Sequence, residues 1–364
     1  MKKYWKLCDR AGKGKKDIGG VKTRRIEWID VFKLLGIVAI FCGHLGNKTG
    51  GLHDFVFLFH VPLFFFASGI FADRLENLSI GESVRKKFEQ IMLPYLFFAA
   101  VSMIVIILTT DEDIYKYLGY GKQFVFGIRN QLYASSLWFF SCLFCMSILF
   151  DLLRRLFKKK ILLLVISVII YFITISVLPN RPDVTPSWIF NIDSALHYLI
   201  YYAVGYLFHE RLTEEKKNFS TQRKVFQLGG AALLAGYTAL VYMNKDVLRE
   251  IISRSFPMGG EIYFVLRALL LILFYVVLAK LFAGIGCFHD AGAQTLWMCG
   301  NEFVVKRIFS AAADIVGLQI TITSALSAVI YACAMIWFIY RVLMPFEQKI
   351  YQRLLEIVRL ENNI

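Results

Sequence analysis

Apolar runs of about 20 residues, the length a helix needs to cross a bilayer, recur along the chain, separated by short polar stretches that hold most of the charge. Ten can be picked out, centred near Val38, Phe64, Ala100, Phe144, Val168, Ala203, Leu234, Leu271, Cys299 and Val329. The pattern predicts an all-α fold: a polytopic membrane helix bundle of about ten transmembrane helices. The ninth run departs from the others, because Asn301, Glu302, Lys306 and Arg307 lie in it. Such groups are costly in lipid, so this run is expected to face other helices or water. Residues 1–25 form a polar, basic tail, the spans fill 26–344, and 345–364 read as a short amphipathic helix beyond the last span.

Composition agrees with a membrane protein, with 57% hydrophobic residues, 19% charged residues and 33 Phe in 364 positions, far from the averages of soluble domains. Charge then sets orientation. Of the 41 Lys and Arg, 29 fall in the tails and in loops on one side, eight in loops on the other and four inside spans. Basic residues collect on the cytoplasmic side, so both termini are expected to be cytoplasmic and the protein to be multi-pass in the cell (cytoplasmic) membrane. The net charge of +14 is explained by these orientation signals and by contacts with anionic membrane lipids. No basic module stands apart from the spans, so no nucleic acid is expected as a partner.

The first 25 residues lack the apolar core of a cleavable signal peptide, and the first span is expected to serve as an uncleaved insertion signal. No extracytoplasmic domain is expected after the tenth span. Cys142 and Cys145 form a CxxC pattern, but on a membrane helix they are expected to pack as small hydrophobes. No P-loop, dinucleotide fingerprint or zinc motif is present, and no metal is expected. The chemistry must come from polar residues within or beside the spans.

Lys33 and His44 are the first such pair. Eleven helical steps return to nearly the same face, and a rise of 1.5 Å per residue separates the two in depth by about 16 Å. Asp30, three residues before Lys33, is positioned to pair with it. His60 opens the second span after a loop of about ten residues, so a short antiparallel hairpin brings the two imidazoles to similar depth.

The stretch from Ile29 to His44, followed by FHVPLFFFASG and later by SLWFFSCLF, resembles the acyltransferase 3 family of multi-span membrane enzymes that acylate sugars and polysaccharides. The family carries an Arg, or Lys in a large subgroup, ten residues from a His in its first helix, which Lys33 and His44 match. Asp30 matches its acidic residue, and Pro62, Phe64, Phe65, Ser68 and Gly69 match the second-helix signature. Leu93, Pro94 and Tyr95 behind a basic stretch, and Leu137, Trp138 and Phe139, also fall where the family has them. One segment departs: where the family commonly has a Gly, Asn, Ser, Leu run ending in His, this chain has Gly292 through Asn301 and Glu302, without the His.

The resemblance implies a transmembrane acyltransferase domain over 26–344 that moves an acyl group, most often acetyl from acetyl-CoA, to a carbohydrate hydroxyl. A neutral imidazole near the hydroxyl can take its proton, and His44 is the candidate base or transient acyl carrier. Lys33, Asp30 and His60 complete the candidate catalytic set. His60, Ser68 and Trp138 are candidate donors to the developing oxyanion, and Ser68, Trp138 and Glu302 are expected to line the acceptor pocket, with Glu302 or Asn301 standing in for the missing His. Coenzyme A is cytosolic and polyanionic, so Lys33, Arg74, Arg85, Lys86 and Lys87 are candidates to hold it. Its pantetheine arm would thread inward, and a carbohydrate acceptor, lipid-linked or exported, would approach from the cell-envelope side. Loops around 111–129, 180–193 and 244–261 would shape its binding. Assembly as a homodimer is left open. The alternative reading is a proton-coupled transporter or exporter, with Lys33, His44, Glu302 and Lys306 as its relay.

Overall fold

A computed structural model of the chain describes residues 26–46, 49, 51–213 and 221–361. The basic tail, 1–25, lies outside the described residues. All regular structure among the described residues is helical. In chain order the α-helices are α1 (Glu27–Gly43), α2 (Gly51–Phe57), α3 (His60–Gly69), α4 (Ile80–Lys87), α5 (Leu93–Thr109), α6 (Ile114–Phe126), α7 (Trp138–Leu156), α8 (Lys160–Ser176) and α9 (Ile192–Leu207). They continue with α10 (His209–Thr213), α11 (Thr221–Met243), α12 (Lys245–Ser255), α13 (Gly259–Phe282), α14 (Gly286–Gly292), α15 (Thr295–Gly300), α16 (Glu302–Val316), α17 (Ala325–Phe338) and α18 (Met344–Glu361).

Among the described residues, five continuous helices are long and apolar enough to cross a membrane: Gly51–Gly69, Ile80–Thr109, Ser135–Leu156, Gly259–Phe282 and Ala325–Ile357. The remaining apolar runs make shorter or broken helices. α1 and α8 have 17 residues each and α9 has 16. The ninth run divides at Asn301, whose side-chain amide donates to Glu347 Oε2 at 2.5 Å and to the Trp297 carbonyl at 3.2 Å. Its backbone leaves the helical region there, ending α15 and opening α16. Length alone therefore gives half the expected number of spans among the described residues: several apolar helices fall short, and the polar residues that made the ninth run unusual also break it. The helix expected beyond the last span is seen over Met344–Glu361 as a continuation of α17, joined to it by a π-helical turn at Ile339–Leu343, and 362–364 lie outside the described residues.

α1 is the axis around which the site is built. Glu27 and Asp30 sit in its first turn, where carboxylates complement the positive end of the helix dipole. Its other faces bury Val31, Phe32, Ile37 and Phe41 against α2, α3, α13 and α14. The closest approach is at Gly292, where a Cβ would collide with the main-chain carbonyl of Asp30. α3 and α9 cross with equal intimacy: a Cβ at Gly69 would strike the Tyr202 carbonyl, and one at Gly205 the Phe66 carbonyl. Small residues let membrane helices pack backbone to backbone, and this reciprocal pair fixes α3 against the bundle. On the outside, Leu108, Leu233, Ile315, Ile330 and Trp337 project freely, as expected of helices whose backbone bonds are internal and whose side chains meet lipid.

Candidate active site

A cavity of about 640 Å³ runs along α1. Lys33, Ser68, Phe71 and Arg74 line it at the end where α1 begins and α3 finishes; His44 and His60 line it where α1 finishes and α3 begins. Beyond the histidines it opens into a chamber bounded by Arg129, Arg181, Asp183, Glu261 and Arg267. The predicted depth of about 16 Å between Lys33 and His44 is thus spanned by one continuous space.

His44 caps α1, with its main-chain N–H donating to Ile40 O at 2.9 Å. Its ring nitrogen Nδ1 lies 2.7 Å from Oε1 of Glu302, a residue 258 positions away that the break at Asn301 places at the start of α16. Lys306, one turn further along α16, donates to the same oxygen at 2.5 Å and to the His44 carbonyl at 3.3 Å. A carboxylate held by an ammonium accepts, so Nδ1 carries the proton and Nε2 offers a lone pair to the cavity. The side chain of Glu302 is only 4% exposed, and it stands behind His44 instead of lining the cavity where the sequence reading expected it.

His60 lies opposite, its ring centroid 6.0 Å from that of His44 and nearly perpendicular at 87°. Its Nδ1 donates to the Val56 carbonyl at 2.9 Å. The neutral ring therefore also presents a lone pair at Nε2, which leaves it no proton to donate to an oxyanion. Ser68 is placed eight residues further along α3, about 12 Å deeper by helical rise, and its hydroxyl donates to Phe64 O at 2.8 Å. Trp138 lines the cavity under the Arg129 guanidinium, 4.9 Å from its ring.

Sequence reasoning missed Ser136. It lines the cavity, is buried, and its hydroxyl has no hydrogen-bond partner among the described residues. The Cys299 thiol reaches its carbonyl at 3.8 Å, which puts Ser136 against the wall that carries Glu302. A serine next to the Leu137–Trp138–Phe139 signature was the available signal.

The basic residues expected to hold coenzyme A separate into two groups. Lys33 pairs with Asp30 at 2.8 Å. Arg74 is exposed at the cavity mouth, its guanidinium 3.8 Å from the Phe71 ring centroid; the Asp30 charge reaches it, while the neighbouring Asp73 is turned to Arg154. Arg85, Lys86 and Lys87 do not reach the cavity. Arg85 pairs with Glu89 at 3.0 Å on the outside of α4. Lys87 is buried between helices, donating to Ser147 O at 2.7 Å beside Asp151 at 3.6 Å. That carboxylate also receives Ser83, Arg154 and Arg155, so the cluster joins α4 to α7.

In the chamber beyond the histidines, Arg181 makes a two-pronged contact with Asp183 at 3.1 and 3.0 Å and another with Glu261 at 3.0 and 3.3 Å. Burial alone would raise the Asp183 carboxyl, but the Arg181 hydrogen bonds and the charges of His197 and Arg181 outweigh it and hold the group below its usual range. Asn191, at positive φ, ties this loop down by accepting from the Arg129 N–H at 2.8 Å and donating to Gly127 O. Asp193 caps the turn by accepting from Ser187 and Trp188 main-chain N–H groups at 2.7 and 3.1 Å. His197, with Thr174 at 3.2 Å, completes the wall.

The arrangement can accept a proton at His44 Nε2 and stabilise the resulting imidazolium through Glu302, in a cavity lined from Arg74 to Arg267. No curated protein and no solved structure matches the chain. A family model described as an acyltransferase domain matches residues 26–344. On that match, the chain belongs to the acyltransferase 3 family, as the resemblance of its first two helices implied.

Proposed function

We propose that the protein transfers an acyl group, acetyl in the first instance, from acetyl-CoA on the cytoplasmic side to a hydroxyl of a carbohydrate that approaches from the opposite side. The supporting observation is the His44–Glu302 contact at 2.7 Å, set in a cavity that continues past it in both directions. The proposal includes the topology of ten crossings with both ends cytoplasmic, in the cell membrane, and an acceptor that is a cell-envelope or exported glycan.

The donor end fits an extended polyanion. Arg74 offers an exposed guanidinium for phosphate, and Phe71 backs it. Lys33, neutralised by Asp30, adds a hydrogen-bond donor with little net charge, so the set narrows to Arg74 and Lys33. The pantetheine arm lies along α1 and brings the thioester to His44.

His44 Nε2 removes the acceptor's hydroxyl proton as the oxygen attacks the thioester carbonyl. The imidazolium is held by Glu302, whose own charge is balanced by Lys306. The Ser136 hydroxyl, without another partner among the described residues, donates to the oxyanion. Collapse of the tetrahedral intermediate breaks the C–S bond, and His44 returns its proton to the departing thiolate, so the ester and free coenzyme A leave with the site unchanged.

Purified protein in detergent, supplied with acetyl-CoA labelled in its acetyl group, should release coenzyme A and acylate an extract of cell-envelope glycans. His44→Ala should end both while the protein remains folded. Normal transfer by that variant would overturn the base assignment. Movement of substrate in proteoliposomes given no acyl donor would favour the transporter reading instead.

A further inference from the structure

Arg267 lies eight residues into α13, lines the chamber beyond the histidines, and is 8% exposed. Buried guanidiniums are ordinarily paired with carboxylates or fully hydrogen-bonded, since an uncompensated charge in a dry interior is strongly unfavourable. Arg267 is neither among the described residues. Its Nε is shut off from solvent without a hydrogen-bond partner, and its contacts are the rings of Tyr263 and Phe264 at 5.1 and 4.8 Å. Ring faces attract a cation but accept no strong hydrogen bonds.

The rest of the chamber does not supply the missing charge. Its two carboxylates, Asp183 and Glu261, are both taken by Arg181 at 3.0 Å. Arg129 directs its guanidinium to the main-chain carbonyls of Asp183 and Val184 and over Trp138. Three guanidiniums thus face two carboxylates in one space, and the one with no hydrogen bond is the most deeply buried.

We propose that this chamber binds an acceptor carrying an anionic group, a phosphate or carboxylate, and that Arg267 is the residue that reads it. A guanidinium steadied by aromatic rings presents its N–H groups as a fixed fork, the geometry that engages a carboxylate or phosphate through two parallel hydrogen bonds. Binding at the terminal nitrogens would match the charge that the free chamber leaves unpaired, while the enclosed Nε would stay as it is. Neutral sugars would be selected against, because they would leave the charge buried and unmatched. The proposal deepens the acyl-transfer reading by giving its acceptor a charge class, and rests on that reading only for the term acceptor.

The test is ligand protection against thermal unfolding in a neutral detergent. Glucuronate and glucose 6-phosphate should raise the midpoint of the wild-type protein where glucose at equal concentration does not. Arg267→Gln should weaken the response to both anionic sugars by about tenfold or more, Arg267→Lys should retain part of it, and the response to coenzyme A should be the same in all three proteins. Equal protection by glucose, or an undiminished response in Arg267→Gln, would overturn the proposal. Loss of the coenzyme A response would assign Arg267 to the donor instead. A response through Arg267 to short-chain phosphatidylglycerol but not to the sugars would assign it to lipid. Should Arg267→Gln fail to fold, Arg267→Lys carries the comparison: a response equal to wild type for glucuronate and glucose 6-phosphate would then overturn the assignment. Binding is read without turnover, so a protein that binds anionic sugars but never consumes acetyl-CoA refutes the acyl-transfer reading alone. Equal acyl transfer to neutral and anionic sugars refutes this one alone.

Discussion

Two imidazoles face each other across the cavity where α1 ends and α3 begins, and they differ in what stands behind them. His44 is backed by the Glu302 carboxylate at 2.7 Å, and His60 by the Val56 carbonyl at 2.9 Å. Both partners fix the same tautomer, with the proton on Nδ1 and a lone pair at Nε2. Only the carboxylate carries a full charge to set against the imidazolium that forms once a proton has been taken. Similar rings 6.0 Å apart therefore have different competences, and the difference is made by a residue on another helix. His44 is equipped to turn over protons, while His60 is equipped to shape the pocket.

The largest effect should follow from removing the equipped ring. His44→Ala should lower kcat for acetyl transfer by about 10²- to 10⁴-fold, the range expected when a general base is lost, with the thermal midpoint little changed because the side chain is partly exposed. If His60→Ala produces that loss and His44→Ala does not, the comparison is reversed. Next in size is Glu302→Gln, which keeps the shape and removes the charge. It should cost about 10²-fold in kcat with a small effect on KM. The double variant His44→Ala/Glu302→Gln should be no slower than His44→Ala alone, since the carboxylate acts through the ring. An additive double variant would show that Glu302 has a separate role, as the sequence-based expectation of a pocket-lining Glu302 requires.

That expectation shows where sequence reading stops. α1 and α3 were legible because apolar runs and a short glycine-bearing loop specify a hairpin, and the Lys33–Asp30 pair because helix geometry brings residues three apart together. Glu302 was conspicuous as a charge inside an apolar run, but its partner lies 258 positions away, and no local periodicity encodes such a contact. The same limit explains the basic residues of α4. Lys87 and Arg85 look alike in a list of loop cations, yet Lys87 is committed to α7 through Ser147 and Asp151 and Arg85 to its own helix. Arg267 was visible only as a basic residue within a span. Its importance depends on Arg181 having already claimed both carboxylates of the chamber.

A smaller effect tests the other side of the comparison. His60→Asn keeps a polar group near Val56 and removes the second lone pair from the cavity. It should cost about tenfold or less in kcat/KM, expressed mainly through KM, because the ring contributes packing against Phe57 at 4.7 Å and carries no charge through the cycle. A loss confined to kcat would mean that His60 takes part in proton transfer and that a carbonyl backing is sufficient.

The smallest effect concerns a carboxylate in a wetter setting. Asp183 and Arg181 have side chains 27% and 44% exposed, whereas Glu302 is shut in. Arg181, with His197, overcomes the effect of burial and lowers the Asp183 carboxyl below its usual range, so the folded value lies beneath the unfolded one of about 3.9. The pair's contribution to stability is therefore complete above that unfolded value and is lost as pH falls through the lower folded one. Asp183→Asn should remove this part of the acid sensitivity, so the gap between wild-type and variant midpoints should close by a degree or two between pH 6 and pH 3, a shift limited by solvent screening. Parallel midpoint curves would mean that screening leaves the Arg181 pair without measurable effect. A carboxylate in this protein would then matter to the degree that it is dry, which is the condition Glu302 meets behind His44.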